Sequence, residues 1–475
     1  MVNQAARPVR LSGLESSRCL ARFLFDPLGT VERCHRERGP IVIMTAPVRW
    51  PIRWRNPHPK PMIVSGIGPD FNREVLSDPK IWRTRSLGPG GPKKSAARRV
   101  SVGIFSLHED KHKHYRQLLI PPLSRKTANA QSAQISRVAA AEVERWPINE
   151  PIDLWAHSRA LMQTLSISLL FGDDRERGMP VAELVDHFYN HTFSWKVMLC
   201  PFNVPGVPYN RMLRDGELLQ DRLLDWAKCI RGAPNSSDLF SIVANNPDET
   251  GQALSDVQVI GHIPPLMVAA FETCQNLLFW TLLLLCQHPK IAGDLLDELR
   301  GRLAGATPSL DRIADLPLLD AVINESLRIL PPVPQQFRIA ASDTVLANVP
   351  VPRSTKALLS PFFTNRDPKL YPDPDCFKPE RWTSINPSPY EFSSFSAGPY
   401  LCPGSAFGPS VVKVLVATIL TQFRVALAPN AVVDYKVTLT LTPKGKIPAI
   451  LHRQDGNFSS SPVRGSIRNL VRFLN

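Results

Sequence analysis

The stretch Phe395-Ser396-Ala397-Gly398-Pro399-Tyr400-Leu401-Cys402-Pro403-Gly404 decides how this chain is read. It sets one cysteine between two glycines, just ahead of a pattern with Phe407, Val411, Leu415 and Ile419 on one helix face. Gly398 and Gly404 lack Cβ, so the backbone there can turn sharply and lie close to a flat ligand. Pro403 has no N–H, so amides aimed at the sulfur must come from its neighbours. The following helix turns its positive end toward Cys402, which favours a thiolate. Phe395 is placed to shield that sulfur from water.

Composition permits a large folded body around this loop. The chain has 475 residues, 43% of them hydrophobic, enough for a sizeable core. Its eight cysteines, at 19, 34, 200, 229, 274, 286, 376 and 402, form no C-x-x-C pair. That spacing argues against a disulfide framework or a zinc site and for a reducing, cytoplasmic setting. Met1 to Leu24 is polar and Arg-containing, without the apolar core of a signal peptide. The longest apolar run, Leu277 to Cys286, follows Asn276, is broken by Thr281 and is too short to span a bilayer, so it is expected to be a buried helix. The net charge of +14 comes with no nucleic-acid motif. A basic surface of this kind attracts acidic proteins.

Periodicity organises the rest. Pro40 to Met44 and Pro61 to Ser65 read as short strands, as do Phe337 to Val345, Thr355 to Phe362 and Tyr435 to Thr442. Ser132 to Trp146, His157 to Phe171, Val181 to Cys200 and Pro289 to Leu303 read as helices. Ser255 to Gln287 is one long helical pattern, with Ser255 as its N-cap. Gly88 to Arg99, rich in Gly, Pro and basic residues, reads as a mobile loop.

The 395–404 stretch has the F-x-x-G-x-x-x-C-x-G form and resembles the proximal loop of the heme-thiolate monooxygenases, the cytochrome P450 superfamily. The resemblance implies that Cys402 is the axial ligand of the iron of heme b (iron protoporphyrin IX). Phe395, Gly398, Tyr400 and Gly404 would surround the cofactor on that side. A thiolate ligand pushes electron density onto iron and favours O–O cleavage. The implied fold is mainly α with small β-sheets: a single cytochrome P450 domain over about residues 25–452, a long central helix lying over the heme. Residues 1–24 would be an extension without a membrane anchor, and 453–475 a basic tail.

Other segments match the family in order. Glu325-Ser-Leu-Arg328, ended by Pro331 and Pro332, and Phe377-Lys-Pro-Glu-Arg381-Trp382 resemble its E-x-x-R and P-E-R-F/W segments. The resemblance joins Glu325, Arg328 and Arg381 as one carboxylate held by two guanidiniums, a structural role suited to planar, bidentate arginine. His112-Lys-His-Tyr-Arg116 resembles H-x-x-x-R, and Arg338 matches a further ligand, so His112, Arg116 and Arg338 would hold the heme propionates. Ala269-Ala270-Phe271-Glu272-Thr273 resembles the acid–alcohol stretch of the central helix. Thr273 would hold a water and Glu272 would feed it protons, because dioxygen cleavage consumes two.

Several positions depart from the family. Tyr400 replaces a usual Arg or His, leaving one propionate contact neutral or missing. Ala270 replaces a usual Gly. Pro264 and Pro265 fall inside the central pattern, each at roughly 3 kcal/mol in a helix interior, and predict a kink or a late helix start. Pro409 is cheap only in the first turn of its helix.

Phe188, Phe193, Trp195, Phe202 and Phe271 propose an apolar pocket, with Gln335 and Gln336 available to a polar substrate group. In the C-terminal tail, Ile467, Leu470, Val471 and Leu474 form one stripe and Arg464, Arg468 and Arg472 another. Such a helix packs on its own protein or lies on an anionic membrane or partner. The expected activity is monooxygenation of an apolar small molecule by a monomer using dioxygen. Electrons would come from a separate ferredoxin or flavodoxin, since the chain has no room for a flavin reductase. No nucleic acid and no transmembrane span are expected. The alternatives are other chemistry at the same heme (oxidative coupling, dehydration, peroxide-driven oxidation) and a non-catalytic heme sensor or carrier.

Overall fold

A computed structural model describes residues 8–45, 62–84, 91–172, 174–194, 196–197, 200–231 and 238–473. Helices dominate, and four sheets accompany them, of six, three, two and two strands. In the largest sheet the strands run in the order Val9–Arg10, Ile41–Thr45, Met62–Gly66, Lys356–Leu359, Gln336–Ala340, Trp82–Arg83. Ile43 faces Val64 across an antiparallel pair, and both are buried. Arg338 faces Ala357. Its strand is thus fixed by two neighbours that the sequence supplies hundreds of residues apart. Phe423–Leu427, Pro448–Arg453 and Pro151–Asp153 form a second, antiparallel sheet.

Seven helices position the site: α1 (Gly13–Phe23), α2 (Pro27–Arg38), α3 (Glu109–Leu119), α4 (Asp256–Met267), α5 (Thr273–Gln287), α6 (Pro317–Ile329) and α7 (Phe407–Gln422). α4, a π-helical turn over Val268–Glu272, and α5 form the central helix. Ser255 and Gln258 cap it reciprocally, each side chain bonding the other's amide. The helix therefore begins ahead of both prolines, and the expected late start does not occur. The irregularity follows them instead, as the π turn. Pro264 and Pro265 supply no amide hydrogens, and the wider turn resets the ladder beyond them. The segment from Asp256 to Gln287 is long and apolar enough to cross a membrane, but 67% of its apolar window is buried inside the protein. Its Leu277–Leu285 portion packs against α7, whose Val411, Leu415 and Ile419 are wholly buried. Pro409 sits in the first turn of α7, where its missing N–H costs little.

Several sequence boundaries are corrected. Tyr435 to Thr442 is a hairpin of two strands, Asp434–Val437 and Leu441–Lys444, because the chain reverses at Thr438, whose amide bonds Thr440 O. The strand expected over Phe337 to Val345 ends at Ala340, and Thr344–Leu346 pairs instead with Val349–Val351. That over Thr355 to Phe362 ends at Leu359, where Pro361 opens a helical turn. The helix read as Val181 to Cys200 spans Arg175–Thr192, capped by Asp174. Gly88 to Gly90 lie outside the described residues, but the rest of that segment is no open loop. Ala96–Arg99 is a helical turn capped by Ser95 and buried at Ala96 and Ala97. A Cβ at Gly216, in the helix Pro208–Ile230, would come within 2.6 Å of Ala97, so that helix and this turn pack backbone to backbone. Among the described residues, which exclude Leu474, the tail forms no long helix. Ser466–Asn469 is a short 3₁₀ turn, and Ile467, Leu470 and Val471 are buried in the main core. Buried Arg366 fastens it by donating to Leu470 O at 2.9 Å. The apolar stripe thus covers the protein's own core, the first of the readings its pattern allowed.

Candidate active site at the Cys402 loop

The Cys402 loop is held open by its backbone. Gly398 has φ of +63°, and a Cβ there would lie 2.3 Å from Leu76 O, so both conformation and space require glycine. Ser396 also has positive φ, +60°, an unfavourable state for a side-chain-bearing residue. Arg338 holds it there, donating to Ser396 Oγ at 2.9 Å. Cys402 N–H donates to Phe395 O at 2.9 Å, and the Gly404 amide points at the sulfur. Burial pushes the Cys402 thiol up, while the Gly404 amide and the Arg116 charge favour its thiolate. As a metal ligand this sulfur would have to be the thiolate, its proton released to solvent when the metal binds.

Tyr400 joins the loop to α3 and the large sheet. Its ring lies 4.7 Å from the His112 ring and 5.4 Å from the Arg338 guanidinium, and its hydroxyl meets Thr84. The substitution that left a contact in doubt therefore builds a bridge between two basic residues. Burial presses His112 down to about 4, with Arg116 and His108 adding to the effect. Burial also lowers Arg338 to about 10, only Tyr400 opposing it among the described residues. Arg338 donates to Phe337 O and Ser396 Oγ, yet its Nε is buried without a partner among the described residues. Buried cationic groups that lack carboxylates are costly and call for an anion. Two guanidiniums and an imidazole beside a thiol-bearing, glycine-lined loop fit an iron macrocycle that carries two carboxylates.

The central helix is buried over 259–268 and again over 275–285, but only partly buried over 269–274. This window contains Glu272 and Thr273. It also contains Cys274, whose thiol is pushed up to about 12 by burial and then by Cys402. Thr273 Oγ1 donates to Ala269 O at 2.8 Å, within its own helix. Glu272 Oε1 accepts from Thr440 Oγ1 at 2.5 Å. Burial holds the Glu272 carboxyl above its ordinary range, with Thr440 opposing. The pair can store a proton at the carboxyl and present a hydroxyl one residue away.

Behind the loop, Glu325, Arg328 and Arg381 meet. Glu325 takes Arg328 Nε and Nη2 at 2.8 Å each and Arg381 Nε at 3.1 Å. The Lys378 amide and Trp382 Nε1 complete its shell at 2.9 and 3.0 Å. Arg328 also donates to the carbonyls of Asn365, Pro374 and Cys376, tying α6 to the chain that leads to Cys402. The sequence had pointed to the three charged residues, while Thr84, Ser396 and Thr440 carried no motif to mark them.

The aromatic pocket is only partly assembled. Phe271 lies in the partly exposed window, whereas Phe188 is wholly buried edge-on to Tyr189 and Phe202 is 65% exposed. Phe193 stacks on Tyr189 at 5.8 Å, and Trp195 lies outside the described residues. Gln335 donates to Pro27 O, and Gln336 accepts from Arg338, so both are engaged by the protein.

The Cytochrome P450 family model matches residues 58–448. Pentalenene oxygenase of Streptomyces avermitilis is 27% identical over 376 residues, 76% of this chain and 82% of that protein. Ent-kaurenoic acid oxidase 2 of Arabidopsis thaliana is 25% identical over 75% of this chain and 73% of its own length. Beta-amyrin 6-beta-monooxygenase of Solanum lycopersicum is 30% identical, over 50% of this chain and 51% of that enzyme. Among solved structures, retinoic acid-bound cyanobacterial CYP120A1 superposes with a TM-score of 0.77 over 95% of this chain at 21% identity, which shows the fold. With the matched model spanning most of its length, the chain belongs to the cytochrome P450 family of heme-dependent, oxygen-incorporating oxidoreductases.

Proposed function

We propose that this enzyme hydroxylates or epoxidises a terpenoid hydrocarbon, with Cys402 as the proximal ligand of heme b. The observation that carries the reading is the partly exposed window at Glu272 and Thr273, set in an otherwise buried helix whose Cys274 sulfur lies 3.1 Å from where a Cβ on Gly408, in the helix after Cys402, would stand. Bound heme supplies the activation of dioxygen. His112, Arg116 and Arg338 would hold its carboxylates, with Tyr400 orienting the first and last. Thr273 Oγ1, donating to Ala269 O, keeps lone pairs that would accept a hydrogen bond from a water, and Glu272, its carboxyl shifted by burial toward the neutral form, would replenish the proton. The terpenoid assignment rests on the printed activities of the relatives, which include a pentalenene oxygenase and an ent-kaurenoic acid oxidase. An acidic ferredoxin or flavodoxin suits the net charge of +14 as electron donor. A cytoplasmic monomer is part of this reading, and its eight cysteines are free thiols.

The test is turnover of a panel of cyclic terpenes with a ferredoxin system under ¹⁸O₂. The reading expects one labelled oxygen in the product and a blue-shifted Soret band on substrate binding. Product without label, or conversion with peroxide alone, would replace monooxygenation by another use of the heme.

A further inference from the structure

Cys19 and Cys34 stand apart from the other thiols. They lie on α1 and α2, fifteen positions apart, with sulfurs separated by 2.7 Å. A disulfide bond is about 2.05 Å long, so a small movement brings these atoms to bonding distance. Their surroundings differ. Cys19 is buried with Leu11, Val42 and Met44, while Cys34 is half-exposed. The Cys19 thiol hydrogen-bonds Cys34 and holds it below its ordinary range; burial and Glu37 oppose this, and Arg33 and Arg38 assist. A reachable thiol near guanidiniums, backed by a buried second sulfur, is the arrangement of an attacking and a resolving cysteine.

We propose that Cys19 and Cys34 are an oxidative modification site, a dithiol that low-molecular-weight disulfides convert reversibly to an intramolecular disulfide. With glutathione disulfide, Cys34 gives its proton to solvent and its sulfur attacks one glutathione sulfur. The S–S bond of the reagent breaks, and the departing glutathione thiolate takes up a proton. The Cys19 sulfur then attacks Cys34 Sγ, releasing the second glutathione, which carries away the Cys19 proton. Two protein thiols are oxidised and one glutathione disulfide is reduced to two glutathiones.

The bridge would act on the site through the turn it encloses. Phe23 packs edge-on against Phe337 at 6.2 Å, and Pro27 O accepts from Gln335 at 3.2 Å. Both contacts lead directly into the strand that carries Arg338. Oxidation therefore fixes α1 and α2 against the edge of the cofactor site.

The experiment treats the purified, heme-loaded full chain with glutathione disulfide, blocks remaining thiols with maleimide and maps the peptides. The expected result is loss of two hydrogen masses, a cross-linked Cys19–Cys34 peptide and full reversal by dithiothreitol. Cys19→Ser should instead keep one glutathione on Cys34, whereas Cys34→Ser should leave Cys19 unmodified. A double variant, Cys200→Ser with Cys229→Ser, removes two exposed thiols and should still form the bridge. Persistent glutathione on wild-type Cys34, or maleimide on both Cys19 and Cys34 after treatment, would overturn the proposal.

Discussion

Arg338 is buried, yet its Nε has no partner within the described protein. Its guanidinium therefore holds unused donor capacity for a cofactor carboxylate. Hydrogen bonds to charged groups contribute about 1.5–3 kcal/mol, so Arg338→Leu should speed heme loss between about 10- and 100-fold. Heme transfer to apomyoglobin measures this, and an unchanged rate would remove Arg338 from the cofactor site. Glu272 makes a second prediction. Burial raises its folded-state pKa, so the neutral acid stabilises the fold at low pH, fully so below the unfolded value. That contribution is lost as pH rises through the raised folded value. Wild type should thus lose Tm relative to Glu272→Gln on crossing from acid into the range above an ordinary glutamate, and parallel Tm curves would refute it. The same variant should turn over about 100-fold more slowly if Glu272 feeds the proton. Glu272 was legible because it sits inside a short motif, and Arg338 only as a match to a family ligand. Thr440, the partner of Glu272, was not. It arrives from a hairpin 168 positions away, and no local pattern encodes that meeting.

At the scale of elements, the Glu325 cluster shows what a weak motif gains from its context. E-x-x-R occurs on many helices, but here α6 ends at once and its arginine reaches three carbonyls of the segment leading to Cys402. Removing the carboxylate strands two buried guanidiniums. Glu325→Gln should therefore cost about 3–5 kcal/mol in urea unfolding of the heme-bound enzyme. A cost below about 1 kcal/mol would mean that water reaches the cluster. The central helix was legible as one hydrophobic pattern with a capped start, since both signals are local. Its π turn was not, because Pro264 and Pro265 announce a disturbance without saying where the ladder absorbs it. The Asp434–Lys444 hairpin was missed for a similar reason: Thr438 to Thr440 offers no Gly, Asn or Pro to mark the reversal.

For the whole molecule, fold class followed from the heme-peptide resemblance rather than from periodicity, which reads only as mixed α and β. The C-terminal tail illustrates the limit. Its apolar and basic stripes fit a helix on a surface, but the core of the protein was the nearer apolar partner. Charge acts at this scale as well. With a net charge of +14, reduction by an acidic ferredoxin should slow steeply as salt is raised from about 0.05 to 0.5 M. Stopped-flow reduction at a series of ionic strengths measures it, and a flat profile would exclude electrostatic steering. The central claim is thiolate ligation by Cys402, and the reduced carbon-monoxide difference spectrum tests it most directly. Wild type should show the strongly red-shifted Soret band of thiolate-bound heme, and Cys402→Ser should lose that band. A variant spectrum that matches the wild type would contradict the account.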